Sequence, residues 1–107
     1  MRRYGSVIRV RPEKFAEYKG LHAAVWPGVL ARLTASHIHN YSIFHKDGWL
    51  FSYFEYHGTD YEADTAKIAD DPVTQEWWAV NKPCQEPLPT RRDGEWWADM
   101  EEIFHHD

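Results

Sequence analysis

Asp47-Gly48 most constrains how this chain can fold. It separates two runs, Ile38 to His45 and Trp49 to Tyr56, both rich in aromatic and β-branched residues. Asp-Gly supplies the positive φ angles that a two-residue hairpin turn demands. The runs are therefore expected to pair as adjacent antiparallel strands. The rest of the chain must be arranged around that hairpin.

The flanking segments supply the other elements. Tyr4 to Val10 alternates, with Tyr4, Ser6, Ile8 and Val10 on one face, and is expected to be a strand. Pro12 suits the first position of a helix, where its missing N–H costs nothing. Glu13 to Ala24 then places Phe15, Tyr18, His22 and Val25 on one helical stripe. Pro27-Gly28 interrupts it, and a short second helix is expected over Val29 to Ala35. Thr59 followed by Glu62 fits a capping box for a helix from Asp60 to about Ala69. Asp71 as N-cap and Pro72 at the next position start another helix, which carries Trp77 and Trp78. Lys82 to Gly94, with Pro83, Pro87 and Pro89, reads as a loop, and Trp97 to His105 as a closing strand.

The order β-α-β-β-α-β predicts a ferredoxin-like α+β sandwich, an antiparallel sheet with helices on one face. At 107 residues the chain makes one domain, 1–107. The sheet face away from the helices needs cover. Either the proline loop or a second copy supplies it, and a homodimer is expected.

Composition excludes several classes. A hydrophobic share of 43% is too high for a disordered chain. A net charge of −5 disfavours nucleic acid, which calls for a basic surface. No apolar run is long enough for a membrane span, and the basic start has no apolar stretch behind it, so no signal peptide is expected. The single cysteine, Cys84, cannot form an internal disulfide, and the cytoplasm is the expected compartment. Six Trp, six Tyr and five Phe must line a core, a pocket or an interface.

Few residues offer chemistry. Tyr18 and His22 are four apart and project from one helical face, either as core residues or as a proton-handling pair. Trp77 and Trp78 point about 100° apart on a helix, so one is expected in the core and the other at a pocket. Such rings stack on sugar C–H faces, and their N–H groups bond hydroxyls. Trp96-Trp97 has the same two readings, with packing favoured. Asn40-Tyr41 opens a strand and either is solvated or faces a cavity. His37 with His39, and His105-His106-Asp107, lack further ligands at metal-binding spacing, so no metal is expected. Cys84 has no base placed beside it by local sequence. Phosphate-loop, serine-elbow and zinc-protease motifs are absent.

Taken together, five segments resemble the L-rhamnose mutarotase family. They are Glu17-Tyr18, His22-Ala23-Ala24-Val25-Trp26-Pro27, His39-Asn40-Tyr41-Ser42-Ile43-Phe44, Trp77-Trp78, and Met100-Glu101-Glu102-Ile103-Phe104-His105. They follow the family's order and cover nearly the whole chain; Gly28 stands where many members have Glu. The resemblance implies a dimeric ferredoxin-like fold and a cofactor-free isomerase that interconverts the α and β anomers of L-rhamnose. It implies His22 as catalytic proton donor and Tyr18, Tyr41, Trp77 and Trp78 as sugar contacts. L-fucose or another 6-deoxy sugar is the alternative substrate. A cofactor-free dimeric monooxygenase and a non-catalytic sugar-binding module are the competing functions for this fold.

Overall fold

The hairpin turn adopts the conformation its residues favour. In the computed structural model, which describes residues 1–107, Asp47 has φ +52° and Gly48 φ +83°. It joins β2 (Ile38–Lys46) to β3 (Trp49–Tyr56), paired from Lys46 opposite Trp49 to Ile38 opposite Tyr56. β1 (Arg2–Val10) lies antiparallel along the other edge of β3, with Ile8 opposite Leu50 and Ser6 opposite Ser52. Two short strands share the free edge of β1: β4 (Gln85–Glu86) and β5 (Ala98–Met100). The order β2-β3-β1-β4/β5, antiparallel throughout, is the expected ferredoxin-like sheet.

Four α-helices accompany the sheet: α1 (Phe15–His22), α2 (Pro27–Ala35), α3 (Tyr61–Ala69) and α4 (Pro72–Asn81). The core lies between them and the sheet. Ile8, Val10, Leu50 and Cys84 are at most 2% exposed and meet the buried ring of Tyr18. Phe15, Ile43, Trp96 and Trp97 pack around this cluster.

Several boundaries differ from expectation, each for a local reason. Pro12–Lys14 is a 3-10 turn, and the α-helix proper starts at Phe15. The second helix starts at Pro27, which takes the first helical position, and not at Val29. Asp60, not Thr59, caps α3: its carboxylate accepts from the Ala63 N–H at 3.1 Å. The Tyr56 hydroxyl accepts the Asp60 N–H at 2.9 Å, and the residue three beyond this cap is Ala63, so no capping box closes. Asp71 caps α4 as expected, accepting from the Thr74 N–H at 2.9 Å.

The expected loop 82–94 contains β4, and the expected strand 97–105 is ordered as a strand only over Ala98–Met100. In the register that pairs Gly5 with Met100, only residues from Phe104 on would pass the end of β1; Glu101–Ile103 leave the ladder although Arg2–Tyr4 lie opposite. Beyond Met100 the tail is exposed and is joined to β1 by a hydrogen bond from the Arg3 guanidinium to Glu102.

The proline-rich segment sits on the helix side of the sheet, where Gln85, Gly94 and Trp96 line a cavity. It does not cover the opposite face. There Phe44 (65% exposed), Phe51 (38%) and Met100 (41%) lie on three strands with no cover from this chain.

Candidate active site

One helical turn brings Tyr18 and His22 together. Their rings lie 4.2 Å apart at 31°. The His22 Nδ1–H donates to the Tyr18 carbonyl at 2.8 Å. A carbonyl can only accept, so this bond assigns the proton to Nδ1 and leaves Nε2 free to exchange one.

α4 supplies the facing wall. Its Asp71 cap fixes the helix start, and Trp77 and Trp78 follow one to two turns later. Trp77 is buried and meets His22 edge-on at 5.2 Å and Trp26 at 5.2 Å. Trp78 is half-buried, and both indoles border the cavities, so the expected division of one ring to the core and the other to a pocket survives only as a difference in depth. At the end of the helix the Lys82 ammonium lies 5.4 Å from the Trp78 ring and 5.3 Å from that of Trp96, bridging helix and loop.

The third wall comes from β2. Its pairing with β3 slips between His39 and Ser42, where Asn40 takes φ +51°. Along a regular strand Ile38 and Tyr41 would face opposite sides. The extra residue brings Ile38, Tyr41 and Ile43 to the same side, where all three line one cavity. Asn40 itself stays outside, donating to the Glu55 carboxylate at 2.8 Å.

Two adjoining cavities result. One, of about 520 Å³, is apolar and includes Val29, Leu33, Ile38, Phe54 and Ile68. The other, of about 360 Å³, is more polar and includes Tyr18, Asn81, Lys82, Gln85 and Trp96. His22, Tyr41, Ile43, Trp77 and Trp78 border both. Thus His22, Tyr18, Tyr41, Trp77 and Trp78, spread over 61 positions of sequence, gather around one place in the fold.

The phenols here remain protonated. Burial raises the Tyr18 hydroxyl well above the ordinary tyrosine value, partly opposed by a hydrogen bond from Gln85. Although Tyr41 as a residue is 42% exposed, desolvation of its phenol pushes it up to about 12. Both rings therefore present O–H groups at neutral pH.

Other candidates lie elsewhere. Burial, followed by the adjacent Glu17, pushes the Cys84 thiol up to about 11, and its Sγ–H donates to that carboxylate at 3.0 Å. Cys84 is thus a protonated core residue and not a thiolate nucleophile. His39 packs edge-on against His57 on the outer side, and His105 and His106 lie in the exposed tail. No three His, Cys, Asp or Glu side chains converge into a set that could hold a metal ion.

Among the polar side chains of the smaller cavity, sequence reading missed Asn81, Lys82 and Gln85. Gln85 and Trp96 sit in a segment read as loop and packing, and no local pattern marks them. Their position depends on β4 pairing with Val10, about 75 residues away along the chain.

A family model of L-rhamnose mutarotase matches residues 3–106. An L-rhamnose mutarotase of Oceanobacillus iheyensis is 34% identical over 109 residues, covering all of both chains. One of Bacillus subtilis is 36% identical over 110 residues, again covering all of both. Among solved structures, an L-rhamnose mutarotase from Formosa agariphila superposes with a TM-score of 0.79 over all of both chains, at 19% identity. Tetracenomycin F2 cyclase from Streptomyces glaucescens, a type-II polyketide cyclase, reaches 0.75 at 13% identity over 100% of this chain and 98% of that one. At those identities the structural matches speak for the fold alone. The family match spans almost every residue and agrees with full-length relatives above 30% identity, and this chain belongs to the L-rhamnose mutarotase family, a family of carbohydrate isomerases.

Proposed function

We propose that this chain interconverts the α and β anomers of L-rhamnose, with His22 as the catalytic residue and Tyr18, Tyr41, Trp77 and Trp78 as sugar contacts. The observation that carries the reading is the Nδ1–H bond of His22 to the Tyr18 carbonyl. It leaves Nε2 as the one imidazole nitrogen that can take and return a proton, beside a cavity walled by four indoles and two phenols.

Anomerisation needs little more. The anomeric hydroxyl loses its proton to Nε2 while the C1–O5 bond breaks and C1=O1 forms. The same nitrogen gives that proton to O5. Rotation about C1–C2 turns the other carbonyl face to O5, and the reverse transfers close the ring. Atoms and charge balance without cofactor or metal. O1 and O5 share C1, so a single nitrogen reaches both. Indole faces suit the C–H faces of the sugar. The apolar cavity beside His22 accepts the 6-methyl end of a deoxy sugar.

The test is saturation-transfer proton NMR on L-rhamnose, irradiating one anomeric signal and following the other. Wild-type protein is expected to speed the transfer. His22→Ala, folded, is expected to lose on the order of 10²–10⁴-fold of that rate, the range of a positioned acid–base group. L-fucose in parallel ranks the two sugars. Saturable binding without faster exchange would overturn the catalytic reading in favour of a sugar-binding module.

We further infer a homodimer built on the uncovered sheet face. Its support is the apolar surface of Phe44 and Phe51 on adjacent strands, with Met100 beyond β1 on the same face. No helix is long and apolar enough to cross a membrane. The free thiol of Cys84 supports placing the activity in the cytoplasm.

A further inference from the structure

Behind Tyr18 lies a chain of hydrogen bonds whose direction is set at its far end. The Trp96 indole Nε1–H donates to Gln85 Oε1 at 2.8 Å. An indole nitrogen has no acceptor capacity, so this bond fixes which end of the Gln85 amide is oxygen. The amide nitrogen then lies 3.2 Å from the Tyr18 hydroxyl and can only donate to it. Gln85 is 5% exposed and Tyr18 4%, so water does not compete for these groups. With a lone pair of the phenol oxygen occupied from behind, its own proton is left for a partner in the cavity that Tyr18, Gln85 and Trp96 line together.

We propose that Gln85, oriented by Trp96, is a positioning residue that locks the Tyr18 phenol as a hydrogen-bond donor to the bound sugar. The inference rests on the mutarotase reading for its catalytic consequence, though not for its geometry. In ring opening, negative charge develops first on O1 as it loses its proton and then on O5 as C1–O5 breaks. A fixed O–H aimed at that charge strengthens as the charge grows and needs no reorganisation. Tyr18 therefore holds a proton towards the sugar and does not remove one, and His22 remains the only group that exchanges it. The raised pKa of Tyr18 agrees, because a phenol kept protonated is a donor and a poor base. The four residues come from separate parts of the chain: Tyr18 and His22 from α1, Gln85 from β4, and Trp96 from the segment before β5.

Gln85→Glu keeps the shape and reverses the polarity. The new carboxylate still accepts from Trp96, but it also accepts from Tyr18 and turns the phenol proton away from the sugar. Its exchange rate on L-rhamnose at neutral pH is expected to fall roughly ten- to a hundredfold, the range for a hydrogen bond to a charged group. As pH falls and the carboxyl protonates, it regains a donor, and activity relative to wild type should recover. Gln85→Met, with no donor or acceptor, should lose less at neutral pH and show no such recovery. Trp96→Phe releases the amide and should fall between them.

A second readout is independent of activity. With tyrosine labelled at Cζ, the Tyr18 carbon signal of the free protein should shift in Gln85→Glu at neutral pH. It should return towards the wild-type position on acidification. Wild-type kinetics and an unmoved signal in Gln85→Glu would overturn the relay. Equal losses in the Glu and Met variants at every pH would overturn it too, reducing Gln85 to a packing residue. If wild type fails to exchange L-rhamnose anomers, the mutarotase reading falls, while the carbon signal still decides the relay.

Discussion

Trp77 couples stability to the site through one ring. It is buried, lies edge-on to both His22 and Trp26, and faces the cavity. Trp77→Ala should therefore cost about 3–5 kcal/mol of stability, typical for truncating a large buried aromatic residue, with a lowered urea midpoint as the measurement. Kinetics on that variant would mix unfolding with lost binding. Trp77→Phe keeps an aromatic wall and the helix packing but removes the indole N–H and part of the face. It should raise KM more than it lowers kcat. A fall in kcat at unchanged KM would instead make Trp77 a group that acts only in the transition state. Tyr18 and His22 were legible as a pair because helical spacing places them on one face, whereas Trp77 and Trp78 were legible as sugar contacts only through the family resemblance. Gln85 was not, because its role is defined by an acceptor 67 positions away and a donor 11 positions away.

At the scale of elements, the bulge in β2 carries the largest functional consequence, since it turns Tyr41 to the cavity side. A small polar cluster pins it from outside. The Glu55 carboxylate accepts from Asn40 at 2.8 Å and from the Tyr53 hydroxyl at 2.8 Å, with the His57 ring at 3.3 Å. These bonds, that from Asn40 foremost, lower the Glu55 pKa to about 2. A depressed carboxyl pKa contributes stability above the unfolded-state value of roughly 4.3 and loses it as pH falls towards the folded value. Wild type should thus lose part of its urea resistance between about pH 4 and pH 2. Glu55→Gln should start lower and change less across that window. Parallel pH profiles for the two proteins would show that the cluster adds nothing to folding. The hairpin itself and the Asp71-Pro72 start of α4 were readable because each depends on neighbours within four residues, whereas Pro27 read as a break and starts α2 instead. The bulge was not, because no composition marks one residue too many. Nor were β4 and the short extent of β5, because both are set by pairing with β1, at least 75 residues away along the chain.

For the molecule as a whole, the sheet separates the proposed site from the uncovered apolar face. All the proposed site residues stand on the helix side and come from one chain, whereas Phe44, Phe51 and Met100 stand on the other. That arrangement makes the homodimer testable apart from the chemistry. Phe44→Glu combined with Phe51→Lys replaces two exposed rings on neighbouring strands, opposite each other in the β2–β3 register. Exchanging Phe44, at 65% exposure, should cost one chain no more than about 0.5 kcal/mol, and exchanging Phe51, at 38%, on the order of 1 kcal/mol. Opposite charges directly across an antiparallel pair are themselves favourable. The β2–β3 hairpin should therefore survive the exchange, and only packing between copies should suffer. Light scattering should give twice the 12.7 kDa chain mass for wild type and the single chain mass for the double variant. Because no group in the proposed proton path crosses the sheet, the monomeric variant should keep His22-dependent exchange within a few-fold of wild type. A monomeric wild type would remove the second copy from the sheet face. A monomeric variant that has lost exchange would show that the site takes a residue, or its shape, from the partner.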